Sequence, residues 1–184
     1  MSNLTEGETK TAAKILQAKP CPALLADLED ELKHIEACSD KRKRWTVQEY
    51  LGGRPGKTVV VLANDAHLGL VALKIVAILN EKERHRFDRE VKMLARVAHN
   101  NVVIKKEGPF TSTDGTLMFV VLEYVQHSVD YFLKSSQRMD EGSVIRMGMD
   151  VLRGLDHIHQ QGVIHKDLKC SNILRGPDDS DSYK

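Results

Sequence analysis

Near the carboxyl end of this 184-residue chain lies the run Val163-Ile164-His165-Lys166-Asp167-Leu168-Lys169-Cys170-Ser171-Asn172-Ile173-Leu174. Three of its side chains have the types and spacing to do chemistry together. A carboxylate such as Asp167 can orient a hydroxyl and take its proton. An ammonium two residues on, Lys169, can steady a group carrying negative charge. An amide four residues beyond Leu168, Asn172, offers an oxygen to a hard divalent cation. Upstream, Val71-Ala72-Leu73-Lys74 places a lysine in an apolar, strand-like run, and Glu90 follows sixteen residues later. Taken alone, Lys74 and Glu90 would each be an ordinary solvated charge.

The loop resembles the HRDLKxxN catalytic loop of eukaryotic-type protein kinases, with DLK in the manner of the serine/threonine branch. The other segments follow in that family's order. Val71–Lys74 is similar to its VAIK strand, Glu90 to the helix glutamate that pairs with the lysine, and His99-Asn100-Asn101-Val102-Val103 to HPNIV. Leu122-Glu123-Tyr124-Val125 looks like the fifth strand and hinge, and Leu155–His165 like the GLxYLHxxGIIH approach to the loop.

The resemblance implies roles. Asp167 would be the catalytic base, Lys169 the cation on the transferring phosphoryl group, and Asn172 a catalytic residue that holds the second Mg2+. Lys74 would grip the α- and β-phosphates of ATP, fixed by Glu90. Backbone groups of Glu123 and Val125 would bond adenine, with Leu122 limiting the rear pocket, and Ala72 and Leu174 would sandwich the ring. ATP and Mg2+ are thus the expected cofactors and a protein substrate the expected partner. The implied reaction is transfer of the γ-phosphate to protein Ser/Thr hydroxyls.

Elements must position these residues. The β-branched runs Val59-Val60-Val61 and Val71–Val76 read as strands, divided by turn-like Asn64-Asp65 and Gly69. A helix is expected over roughly Glu81–Val97, with Phe87, Val91, Leu94 and Ala95 on one face. Strands follow at Val102–Lys106 and Leu117–Tyr124, with a hairpin turn at Asp114-Gly115. Val144, Met147, Val151, Leu152, Leu155 and Ile158 mark a long helix ending at Gly162. The order predicts an α+β, kinase-like fold: a small antiparallel-sheet lobe with one helix, then the truncated start of a helical lobe. Residues 46–184 are expected to form the kinase domain, incomplete at its C-terminus, with the lobe hinge near 123–126.

Residues 1–45 fall outside the resemblance and read as a helical extension. Short helices are expected over Thr11–Lys19 and Ala23–Lys43, separated by Pro20 and Pro22. Leu25, Leu28, Leu32 and Ile35 recur at helical spacing, which fits an amphipathic helix packed on the following domain, or a short coiled-coil seam. A regulatory partner could bind through this helix. Lys41-Arg42-Lys43-Arg44 suits the negative end of that helix, with a nuclear-localisation signal as the other reading.

Composition excludes several classes. With 27 basic and 26 acidic residues the net charge is +1, so no global field would capture nucleic acid or a membrane surface. Cys21, Cys38 and Cys170 lack CxxC spacing, which argues against zinc and a disulfide framework. The polar start and the short apolar runs predict a soluble, cytoplasmic protein, with the nucleus as the alternative.

Three departures from the family pattern carry expectations of their own. In Leu51–Val60, Gly53 and Val60 occupy the ends of GxGxxGxV, but Pro55 and Thr58 stand where glycines belong, which predicts weakened nucleotide binding. Lys166 replaces the arginine before the catalytic aspartate, so it lacks the bidentate fork. No Asp-Phe-Gly triplet occurs in Arg175–Lys184. As written the chain is expected to be a poor catalyst, and the competing class is a catalytically inactive, pseudokinase-like module that binds a protein.

Overall fold

The computed structural model describes residues 26–28, 30, 44–54, 57–112, 115–135, 139–176 and 182–184. The expected Thr11–Lys19 helix and most of the Ala23–Lys43 helix lie outside these residues, as do Pro55, Gly56 and Asp114. The chain divides into two compact units. The first comprises residues up to Val91 with Lys106–Tyr124, and the second Lys92–Lys105 with Val125–Lys184.

The first unit is built on a five-stranded antiparallel sheet. Its strands are β1 (Trp45–Arg54), β2 (Thr58–Asp65), β3 (Gly69–Ala77), β4 (Lys105–Thr111) and β5 (Leu117–Glu123), in the order β1-β2-β3-β5-β4. Period-two alternation sends Val59, Val61, Ala63, Val71, Leu73, Ile75, Phe119 and Val121 to one face, where Trp45 and Leu28 cover them. Each of these apart from Ala63 contributes on the order of 1.5–3 kcal/mol by leaving water. Trp45 meets Phe119 edge-on at 5.2 Å. On the other face Val76, Met118, Val120 and Leu122 meet Ile78, Phe87 and Val91. Phe87 and Val91 belong to helix α1 (Glu81–Arg96).

Helix α1 starts where its chemistry says it should. Asn80 Oδ1 accepts the Glu83 N–H at 3.1 Å, and Glu83 Oε2 accepts the Leu79 N–H at 2.9 Å. The β2–β3 turn is similarly fixed, because Asp65 Oδ1 accepts from the backbone of His67 and Leu68. Asp65 Oδ2 takes a 3.0 Å bond from Arg44 Nε, and the same guanidinium donates to Glu107 at 2.5 Å. Burial opposes the Arg44 charge, yet the hydrogen bond to Glu107 and the attraction of both carboxylates hold its pKa above the usual guanidinium value.

Two strands differ from expectation. β1 is irregular, with register shifts between Val47 and Glu49 and between Tyr50 and Gly52, so no clean alternation marks it in the sequence. The strand expected at Val102–Lys106 begins instead at Lys105. Val102 is turned back on His99, its N–H donating to the His99 carbonyl at 3.0 Å. The strand itself runs through polar Lys106-Glu107 and Gly108-Pro109, and an edge position tolerates that proline.

The second unit is mainly helical. A two-residue strand β6 (His127–Ser128) leads into α2 (Val129–Lys134), and α3 (Glu141–Gln160) follows. β7 (Leu174–Arg175) pairs antiparallel with β6. Asp140 caps α3 by accepting from Ser143 N at 2.9 Å and Ser143 Oγ at 2.6 Å. At its other end Gly162 adopts φ +71°, Val163 N–H bonds the Ile158 carbonyl, and Gly162 N–H bonds that of His159. That is the Schellman ending expected of this glycine. Of the expected apolar face, Met147, Val151 and Ile158 are covered, while Val144 and Leu152 are exposed. The core of this unit gathers Val129, Ile173 and Tyr183 against Met139, Met147 and Val151. Among the described residues, no helix is long and apolar enough to cross a membrane.

Candidate active site

In the first unit the sheet register gathers the residues singled out there. Lys74 pairs with Val60 on one side and Val120 on the other, and Ala72 pairs with Leu62 and Leu122. Directly paired residues share a face, so Val60, Ala72, Lys74 and Leu122 project together on the α1 side of the sheet. Lys74 Nζ forms an ion pair with Glu90 Oε1, and both side chains are partly exposed. The pairing holds a flexible four-carbon stem in one orientation. Glu123 closes β5 opposite Val71.

Gly53 sits at the end of β1, opposite Val59, with φ +148°. A Cβ there would run into the Thr58 carbonyl oxygen, so the close return of β2 demands glycine.

In the second unit the loop side chains converge on Asp167. Its Oδ2 accepts from Lys169 Nζ and from Asn172 Nδ2, each at 3.0 Å. Asn172 Nδ2 also bonds the Asp167 carbonyl at 2.8 Å. The Asp167 N–H donates to His165 Nδ1 at 3.3 Å. A 3-10 turn over Cys170–Asn172, with Asn172 N–H on the Lys169 carbonyl, brings the asparagine back to the aspartate. Asp167 and Lys169 are open to solvent, with side-chain exposures of 56% and 51%. Leu174, in β7, exchanges backbone bonds with Lys184 at 2.7 and 2.9 Å. Val125 is half-buried at the start of this unit's second segment.

Each cluster, taken within its own unit, has groups that suit part of a phosphate ligand with a divalent cation. Asn172 makes both bonds through its nitrogen, which leaves its carbonyl oxygen as the atom for a cation. Lys74 presents a point charge beside an apolar sheet face, suited to a phosphate chain joined to a flat ring.

Two features are absent from the sequence pattern. Lys166 holds φ +64°, the left-handed region a non-glycine residue rarely enters, directly before Asp167. Tyr183, in what reads as a polar tail, is 1% exposed and anchors the core beside the loop's own Ile173. Tyr183 is placed by contacts distant in sequence, with Asn101 and Asp150, and nothing in a lysine's side chain marks a positive φ.

A family model described as the protein kinase domain matches residues 45–181. The chain belongs to the protein kinase domain family. The serine/threonine/tyrosine-protein kinase HT1 of Arabidopsis thaliana is 30% identical over 164 residues, covering 76% of this chain and 38% of that protein. The CTD kinase subunit alpha of Schizosaccharomyces pombe is 33% identical over 108 residues, 57% of this chain and 18% of the relative. The mitogen-activated protein kinase 5 of Arabidopsis thaliana is 30% identical over 125 residues, 66% of this chain and 33% of the relative. The chain thus spans well under half the length of these curated kinases. The kinase family match begins at the first strand, so residues 1–44 lie outside it.

Proposed function

We propose that this protein is a serine/threonine protein kinase that moves the γ-phosphate of ATP to hydroxyls of protein substrates, with Mg2+. The observation that carries the reading is the pair of preformed charge clusters, Lys74 with Glu90 and Asp167 with Lys169 and Asn172, in a chain of the protein kinase family. ATP supplies the phosphoryl group, and Mg2+ offsets the charge on it. Lys74, held by Glu90, binds the phosphates. Val60, Ala72 and Leu174 line the base, the backbone of Glu123 and Val125 bonds its edge, and Gly53 gives the turn over the phosphates its close approach. Asn172 offers its oxygen to the cation. Asp167 orients the substrate hydroxyl and takes its proton, and Lys169 steadies the phosphoryl group in transit.

The domain we assign to this activity is 46–184, preceded by the extension 1–45. The passage from the first unit to the second between Tyr124 and Val125 supports a hinge near 123–126. The competing reading is a non-catalytic module, favoured by Thr58, where a glycine would be expected. The test is transfer of label from γ-labelled ATP to a serine-bearing protein, by this chain and by any longer form of the protein that contains it. Asp167→Asn should lower the rate at least about 100-fold, the low end of what a positioned base contributes. No transfer by any form, or equal transfer by the variant, would sink the catalytic reading.

A further inference from the structure

An open groove in the second unit lies apart from the Asp167 cluster. It is lined by Asn100, Asn101, Ile145, Arg146, Met149, Asp150, Arg153 and Ser182. Arg146 and Arg153 are two turns apart on α3 and so share a side of the helix. Ser182 brings a hydroxyl to the same groove, where its Oγ accepts from Asn101 Nδ2 at 3.3 Å. The residue is half-buried. Immediately before it the sequence reads Asp178-Asp179-Ser180-Asp181.

We propose that Ser182 is a phosphorylation site, and that Arg146 and Arg153 receive the phosphate. The modifying enzyme would be a kinase that reads acidic residues on the amino-terminal side of its target serine. In that step a bond forms between Oγ and the γ-phosphorus of ATP. The bond from that phosphorus to the oxygen bridging to ADP breaks, and the hydroxyl proton passes to the modifying enzyme's base. At neutral pH the product carries close to two negative charges and three strong acceptor oxygens.

The groove suits that product better than it suits a hydroxyl. Arg153 is bonded to Asp150 at 3.0 Å, with the arginine side chain 61% exposed and the aspartate 13%, so the arginine end is solvated and can turn toward a second acceptor. Arg146 donates to Ser143 Oγ at 3.2 Å and is also attracted by the Asp140 carboxylate, which accepts from the same Ser143 hydroxyl. A phosphate brings close to two charges and three acceptor oxygens, so it can engage both arginines at once, which neither Ser143 nor Asp150 does. Asp150 opposes the change, but it is itself engaged by the Tyr183 N–H at 3.0 Å as well as by Arg153. Asn101 Nδ2 also bonds the Tyr183 carbonyl at 2.8 Å, and Asn101 packs against Gly154. A phosphate on Ser182 would therefore fasten residues 182–184, the 100–101 turn and α3 to one another.

The experiment uses the full 184-residue chain, prepared with serine or phosphoserine at position 182. Phosphoserine should raise the melting temperature by about 2–4 °C at low salt, the shift expected for a chain this long on gaining one or two charge-assisted bonds. The rise should shrink in about 0.5 M salt, which screens such pairs, and vanish in Arg146→Gln/Arg153→Gln. Each comparison is made within one background, and the single variant Arg153→Gln, which should halve the rise, serves if the double one does not fold. In parallel, the unmodified chain is treated with ATP and an acid-directed kinase and mapped by mass spectrometry. Phosphate on Ser182 supports the proposal. An unchanged or lowered melting temperature, a rise that persists without the arginines, or phosphate on Ser180 alone would overturn it.

Discussion

Lys74 meets Glu90 because α1 packs on the sheet through Val91, in one cluster with Val76 of β3 and Val120 of β5, which holds the two stems near one another. At this scale the grouping of side chains was legible in the sequence. Lys74, Glu90, Asp167, Lys169 and Asn172 were singled out by type and spacing, and the structure gathers them in two clusters, one in each unit. Lys166 was not legible in the same way, since nothing in a lysine's side chain favours a positive φ. A purely local device also yields a prediction. Hydrogen bonds from the Ser143 side chain and backbone hold the Asp140 carboxyl below its ordinary range. A lowered folded value means the cap's stabilisation is present above the unfolded pKa, about 4, and is lost as pH falls through the folded value. Asp140→Ala should therefore melt lower than the parent at about pH 7, and the gap should narrow only once the pH falls below the ordinary carboxylate range. Circular dichroism melts across that range provide the check, and a gap that widens on acidification would contradict the assignment.

Among the elements, β2, β3, β5, α1 and α3 were readable from period and caps, because each follows one rule along its length. β1 and β4 were not. Two bulges break the alternation of β1, and the apolar Val102-Val103 that suggested a strand belongs to a turn instead. Glycines in α3 illustrate what a sequence pattern leaves out. A methyl group added at Gly148 would meet nothing within 4 Å, whereas at Gly154 it would lie 2.5 Å from the Asn101 carbonyl oxygen. Gly148→Ala should stabilise the chain by up to about 1 kcal/mol through helix propensity alone. Gly154→Ala gains the same contribution but forces backbone apart, at a cost of roughly 1–3 kcal/mol. Chemical denaturation should give the two variants opposite signs, and a stabilising Gly154→Ala would show that the contact with Asn101 is not tight.

For the whole molecule, the sequence conveyed an α+β kinase-like order, and the family match and the five-stranded sheet agree with it. Less legible was how far the structure reaches beyond the family's boundary. Leu28 precedes residue 45 yet is 1% exposed in the sheet core with Trp45 and Phe119, as an amphipathic helix packed on the following domain would require. Leu28→Ala should cost about 2–5 kcal/mol in equilibrium denaturation. A loss under about 0.5 kcal/mol, the usual size for a surface change, would place that side chain outside the core. The central claim is that this chain carries a nucleotide site of the kinase kind, and its most direct test is thermal melting with Mg-ATP. At about tenfold excess over Kd the account predicts a stabilisation of about 1.4 kcal/mol, or roughly 3–5 °C, abolished by Lys74→Met. No shift at millimolar Mg-ATP, or an equal shift in the variant, would contradict it.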